Sequence, residues 1–180
     1  MKVAVFGAGA VGGYLGSRLA AAKADVHLIA RGAHLAALQE RGLTLVTPDG
    51  VITTPVWATD DPSKVGPVDL VLFCVKSYDT ESAAQRLGPL MRQGTSVISL
   101  QNGVDNEAKL AAAVGAENVL GGAAYILASI ESPGVIRSGT ARIVVGELRV
   151  GPPTARVQAI VDLARAGGIE ATAVADVRIA

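Results

Sequence analysis

A glycine loop at the end of a short apolar strand constrains this chain more than any other feature. Lys2 to Phe6 reads K-V-A-V-F and runs straight into Gly7-Ala8-Gly9-Ala10-Val11-Gly12-Gly13. Gly7, Gly9 and Gly12 fit G-x-G-x-x-G, and Tyr14-Leu15-Gly16-Ser17-Arg18-Leu19 continues the pattern as a helix. In a strand–loop–helix unit of this kind the first glycine permits the tight turn. The second lets a pyrophosphate approach the backbone, and the third lets the helix pack closely on the strand. The unpaired N–H groups and the positive dipole end of the helix favour an anion. The same letters also fit a tight turn that binds nothing. Here a second strand, Asp25 to Ala30, follows the helix, which is the context that a nucleotide-binding unit requires.

Composition then narrows the class. A chain of 180 residues, half of them hydrophobic, is long enough for one ordinary domain with a sizeable core, expected to span residues 1–180. Aromatics make up only 3%, so Ala, Val, Leu and Ile must do most of the packing. Sixteen basic and sixteen acidic residues cancel, and no global field points to nucleic acid or an anionic membrane. The single Cys74 excludes an intramolecular disulfide; inside V-L-F-C-V it reads as a small buried hydrophobe rather than a nucleophile. The first apolar run is short and ends in the glycine loop, unlike a signal peptide. The longest uncharged apolar stretch, Val119 to Ile130, is too short to cross a bilayer. A cytoplasmic location is the expectation.

The helix after the loop is expected over Ala10–Ala22, with Val11, Leu15, Leu19 and Ala22 forming one apolar stripe. The strand Asp25–Ala30 ends at Arg31-Gly32, where dinucleotide folds read the adenosine ribose. An acid there suits a free 2′-OH and an arginine suits a 2′-phosphate. This chain offers Arg31, which also fits a solvated arginine in a turn. After a helix over Ala33–Arg41, Leu43–Thr47 and Val51–Thr54 flank Pro48-Asp49-Gly50 as a β-hairpin insertion spanning about 43–57. Pro55 marks an edge or strand end, and Trp57 reads as a packing residue. His27 and His34 lack Cys or acidic neighbours at metal-ligand spacing and read as structural or exposed, so no metal is expected.

The nearly continuous apolar run Val68–Val75 suits a strand buried on both faces. Lys76 follows it, where ligands bind in open α/β sheets. A crossover helix over Thr80–Met91 leads to the strand Thr95–Leu100, capped by Gln101-Asn102-Gly103, and a helix follows near Asn106–Val114. Gly9, Arg31, Lys76 and Asn102 thus all follow strand ends and should gather on one rim of a parallel sheet. Val119–Ser129, Val135–Ser138 and Arg142–Val145, separated by Ser132-Pro133-Gly134 and Gly139-Thr140, read as an antiparallel meander over about 119–146 joined to the sheet edge. Thr154 is placed to cap a helix bearing Val157, Ile160, Val161 and Ala164, and Ile169–Val174 reads as a last strand with no element after it. The fold class is α/β: a Rossmann-type doubly wound, mainly parallel sheet with an appended antiparallel β segment.

With these pieces assembled, the chain resembles the ketopantoate reductase family, the NADPH-dependent 2-dehydropantoate 2-reductases. The resemblance rests on G-A-G-A-V-G-G at 7–13, Arg31, V-K at 75–76 and L-Q-N-G-V-D-N at 100–106. G-G-A-A-Y at 121–125, P-G-V-I-R-S-G at 133–139 and I-V-V-G-E at 143–147 complete it, with Arg137 where the family often has a histidine. It covers the amino-terminal domain of that family. The resemblance implies NADP(H) bound by Gly7, Ala8, Gly9, Ala10, Val11 and Gly12, with Arg31 on the 2′-phosphate. It also implies that Lys76 and Asn102 line the cleft beside the nicotinamide ribose and substrate, and that the backbone of Ala128 lies near the cofactor. The implied reaction is hydride transfer to the ketone carbon of 2-dehydropantoate, giving pantoate for pantothenate biosynthesis. The family's catalytic lysine belongs to a carboxyl-terminal helical domain expected to be absent here, so no catalytic residue is assigned with certainty within the chain. That domain, or a partner supplying it, and a 2-keto acid are the implied partners; an apolar docking edge would also favour a homo-oligomer. A stand-alone NADPH-binding or sensing module, and a reductase of another 2-keto acid, stay open as alternatives.

Overall fold

The structure, a computed structural model, describes residues 1–103 and 105–177. Its centre is a sheet of short parallel strands. β1 (Lys2–Phe6) pairs with β2 (Asp25–Ile29) on one side and β6 (Leu70–Phe73) on the other, and β6 pairs with β7 (Ser96–Ser99). Consecutive residues of these strands point to opposite faces. Val3, Val5, Leu70, Leu72 and Ile98 therefore enter one apolar cluster, while Ala4, Phe6, Val71, Phe73 and Val97 enter another. α1 (Ala10–Ala21) and α5 (Ala155–Ala166) cover the first face through Leu15, Leu19, Val157, Ile160 and Val161. α3 (Thr80–Ala84), the turn after it and α4 (Asn106–Val114) cover the second through Ala83, Ala84, Leu87, Leu90 and Leu110. Two covered faces explain why the central strands read as unbroken apolar runs.

Among the described residues the remaining strands, β3 (Leu43–Thr47), β4 (Gly50–Thr54), β5 (Trp57–Thr59), β8 (Val119–Ser132), β9 (Val135–Glu147) and β10 (Glu170–Val174), extend this sheet to ten. The order is β4-β3-β9-β8-β7-β6-β1-β2-β5, with β10 alongside β9. β3 (Leu43–Thr47) and β4 (Gly50–Thr54) form the expected hairpin. β5 (Trp57–Thr59) is a short edge strand absent from the sequence reading, added parallel to β2. Trp57 is correspondingly less buried than expected, 43% exposed, with its indole edge-on to His27 at 5.0 Å between centroids.

Two other expectations are corrected. The helix expected over Thr80–Met91 stops at Ala84. Arg86 and Leu87 donate to Ala83 and Ala84 in tighter i−3 bonds, and Gly88-Pro89 then blocks continuation because proline lacks the N–H and disfavours helix before it. The antiparallel segment is one hairpin of two long strands, β8 (Val119–Ser132) and β9 (Val135–Glu147), rather than a three-stranded meander. Gly139-Thr140 is a bulge and not a turn: Ile126 pairs with Ala141 but Ala128 with Ser138, so β9 carries one extra residue there. β8 pairs parallel to β7 and β9 pairs parallel to β3, which sets the hairpin between the central strands and the β3–β4 pair. At α5 the Thr154 hydroxyl does not cap the helix; it donates to Glu147 Oε1 at 2.6 Å. The expectation that no element follows Val174 lies partly outside the described residues.

Candidate functional site

The chain order reverses at β1: β2 lies on one side and β6 on the other. In open α/β sheets ligands bind in the crevice beyond the carboxyl ends of the strands at such a reversal. A cleft of about 730 Å³ opens there. Gly7, Ala8, Gly9, Ala10, Val11, Arg31, Lys76, Asn102 and Ala128 all line it. The sheet therefore brings together the residues singled out in sequence, apart from Gly12, which sits behind the loop in the first turn of α1.

The three glycines occupy three different environments. At Gly7 φ is +97°, and a Cβ would stand 2.8 Å from the Val75 amide nitrogen, so the loop lies against the end of β6. A Cβ on Gly12 would be 2.3 Å from the Gly7 carbonyl oxygen and 2.9 Å from Val5 Cγ1. On Gly9 it would meet nothing within 4 Å. Gly7 and Gly12 thus serve backbone packing, and Gly9 borders open cleft. Gly13 adds a contact not anticipated: its Cβ would lie 2.2 Å from Ile136 Cδ1, so α1 also packs closely on β9.

The start of α1 is free for a ligand. The first helical bond in this turn runs from the Gly13 N–H to the Gly9 carbonyl at 2.7 Å. No side chain caps the helix and no acid occupies its first turn. The N–H groups ahead of Gly13 have no intrahelical acceptor, and the dipole there favours negative charge. The Gly7 and Ala8 N–H groups are occupied, both donating to the Ile29 carbonyl. Among the described residues the cleft is lined by three cationic side chains, Arg31, Lys76 and Arg86, and by one acid, Asp79. An acid-free helix start, open space at Gly9 and an excess of positive charge fit a dinucleotide phosphate group.

Arg31 sits between β2 and α2 (Gly32–Arg41), in extended backbone, and its side chain is 74% exposed. Its Nη2 donates to Asp79 Oδ2 at 2.9 Å, and both residues line the cleft. Lys76 lies in extended backbone after β6 and begins the short turn Ser77–Asp79. Asn102 follows β7; its backbone carbonyl accepts from Asn106 Nδ2 at 3.1 Å. Ala128 lies on β8, where Ala124, Ile126, Ala128 and Ile130 occur at alternate positions and form an apolar wall of the cleft.

Three groups escaped the sequence reading. Gln101 Nε2 donates to the Val75 carbonyl at 3.0 Å and to Thr80 Oγ1 at 2.8 Å. The buried Thr80 hydroxyl in turn reaches the Ser77 carbonyl at 2.9 Å or Asn106 Oδ1 at 3.2 Å. This network ties the loop bearing Lys76 to the loop bearing Asn102. The polar run Gln101–Asn106 carried a signal, but its partners are more than twenty residues away. His34, read as structural or exposed, lines the cleft, and its Nδ1 accepts from the Gly134 N–H at 3.2 Å, joining α2 to the β8–β9 turn. Burial holds its pKa below the ordinary histidine value, which keeps Nδ1 an acceptor. His27 lies 2.9 Å from Asp25 Oδ1, outside the cleft. Burial pushes the Cys74 thiol up to about 12, so it lines the cleft floor as an un-ionised thiol. Among the described residues no helix is long and apolar enough to cross a membrane.

Known proteins are similar to this chain in sequence and fold. The family model for ketopantoate reductase PanE/ApbA matches residues 3–149. A 2-dehydropantoate 2-reductase of Halobacterium salinarum is 42% identical over 181 residues, covering 97% of this chain and 58% of the relative. The crystal structure of 2-dehydropantoate 2-reductase from Geobacter metallireducens superposes with a TM-score of 0.93 at 31% identity, covering 99% of this chain and 60% of that one. A ternary structure of D-mandelate dehydrogenase with NADH and anilino(oxo)acetate superposes at 0.88 with 26% identity, covering 96% of this chain and 56% of that one. This chain thus spans less than two thirds of the proteins it matches. Its glycine loop, cleft rim and the whole β8–β9 hairpin fall inside the matched segment, and the chain belongs to the ketopantoate reductase family.

Proposed function

We propose that the cleft binds NADPH and that this chain is the cofactor-binding domain of a 2-dehydropantoate 2-reductase. The observation that carries the reading is the uncapped, acid-free start of α1 beside the open space at Gly9, with Arg31 at the next strand end. The helix N–H groups hold the pyrophosphate, and Arg31 donates to the 2′-phosphate. Asn102 and Lys76 orient the nicotinamide ribose and the keto acid, while the wall of Ala124, Ile126 and Ala128 excludes water. The bound cofactor supplies a hydride to the ketone carbon. The oxygen that gains charge needs a positioned cation or acid. Among the described residues Lys76 is the only lysine lining the cleft, and the family resemblance assigns it to binding, so the proton donor is expected from outside this segment. A reductase of a different 2-keto acid is the second reading, favoured by the likeness to D-mandelate dehydrogenase.

Titration of this 180-residue chain with NADPH and NADH tests the reading. Charge-assisted hydrogen bonds from Arg31 contribute about 1.5–3 kcal/mol, or roughly ten- to more than a hundredfold in favour of NADPH before competing contacts are subtracted. Arg31→Ala is expected to remove that preference. Equal affinities in the wild type, or an unchanged ratio in the variant, would overturn the assignment. With 2-dehydropantoate added, turnover in the ordinary range of ~1–10³ s⁻¹ would make Lys76 the proton donor instead.

A further inference from the structure

Arg31 and Asp79 both line the cleft and pair with each other. Arg31 comes from the end of β2 and Asp79 from the turn after β6, 48 positions apart in sequence, and their side chains meet at 2.9 Å. Among the described residues Asp79 is the only acid lining the cleft. Its backbone is fixed at both ends: its N–H donates to the Lys76 carbonyl at 2.9 Å and its carbonyl accepts from Ser82 Oγ at 3.0 Å. Thr80 beside it is buried and held by Gln101. The carboxylate is therefore placed by the fold, and the longer arginine side chain is the partner free to swing.

We propose that Asp79 sets the cofactor preference of this site by competing with the 2′-phosphate for Arg31. The inference rests on the dinucleotide reading above and names a residue that tunes it. A 2′-phosphate at the guanidinium either displaces Asp79 from Arg31 or shares Arg31 with a carboxylate of like charge. A cofactor with a free 2′-OH suffers neither penalty, and Asp79 can accept a hydrogen bond from that hydroxyl. Asp79 thus holds down a preference for NADPH that Arg31 alone would make steep. Arg31 is largely exposed and Asp79 half-buried, so each effect is partly screened by water.

Asp79→Asn keeps the size and removes the charge. Isothermal titration of the wild type and the variant with NADP⁺, NAD⁺, 2′,5′-ADP and 5′-AMP reads the effect without turnover. The expected result is about a three- to tenfold tighter grip on NADP⁺ and 2′,5′-ADP in the variant, the size of an exposed ion pair plus a nearby like charge. NAD⁺ and 5′-AMP should bind the same or more weakly. A purely structural role for Asp79 would move all four ligands by one common factor, and that result would overturn the proposal, as would four unchanged affinities. If the wild type binds neither dinucleotide, the dinucleotide reading itself fails and this inference with it. If it binds both and only the 2′-phosphate ratio stays fixed in the variant, this inference fails alone.

Discussion

Gly7 and Gly9 belong to one motif, yet alanine at each should damage a different property. At Gly7 φ is +97°, a region where an L side chain costs on the order of 1–2 kcal/mol. The new methyl would also lie 2.8 Å from the Val75 nitrogen and 2.9 Å from the Cys74 carbonyl carbon, both backbone atoms that yield only if the end of β6 moves. Overpacking adds roughly 1–3 kcal/mol, for a total of about 2–5 kcal/mol. At about 2–4 °C per kcal/mol for a chain of this size, Gly7→Ala should lower Tm by about 4–20 °C. Gly9 has φ −74°, ordinary for alanine, and its methyl would meet nothing within 4 Å. Gly→Ala at a compatible site stabilises by about 0.4–1 kcal/mol, so Tm should hold or rise by up to about 4 °C. That methyl nevertheless fills the space assigned to the pyrophosphate, and NADPH affinity should fall at least about tenfold, or ~1.4 kcal/mol. Scanning calorimetry and a fluorescence titration of each variant decide the matter. A Gly7→Ala chain as stable as wild type would refute the packing argument, and a Gly9→Ala chain that binds normally would refute the placement of the cofactor.

Two further outcomes follow from the geometry. Asn102→Ala keeps the backbone carbonyl that accepts from Asn106, so Tm should stay within about 2 °C while NADPH binds several-fold more weakly; a large loss of stability with unchanged binding would make Asn102 a turn residue only. Arg156, then Thr154, hold the Glu147 carboxyl below the usual glutamate range. A depressed carboxylate stabilises above its unfolded value of roughly 4.3 and loses that stability as pH falls through the folded value. Glu147→Gln should therefore cost about 1–2 kcal/mol at pH 7, with the gap from wild type closing below about pH 4; a gap that does not change with pH would contradict the ion-pair account.

Local signals carried much of this structure. Strand-then-glycine-loop-then-helix, unbroken apolar runs at the central strands and the Pro-Asp-Gly hairpin all depend on neighbours within a few residues, and each is found where sequence placed it. The gathering of Gly9, Arg31, Lys76 and Asn102 at one rim was also legible, because parallel strands with crossover helices must point their carboxyl ends the same way. Helix length after Thr80 was less legible: the apolar spacing of Ala84, Leu87 and Met91 continues through a tighter turn that still buries Leu87 and Leu90. The bulge at Gly139-Thr140 looked like a turn, since glycine serves both.

What sequence alone determined, then, is the dinucleotide-type loop and the side of the sheet on which the cleft opens. Only the tertiary structure decided what surrounds that cleft. β3 pairs with β9, and His34 holds the β8–β9 turn through Gly134, so the hairpin stands opposite the glycine loop and offers Ala124–Ile130 as a wall. Arg31 meets Asp79, and Gln101 meets Thr80, across separations that no periodicity encodes. The physical reason is range: turns and strand patterns are set by nearby atoms, whereas cleft walls and ion pairs depend on register between strands that are distant in the chain.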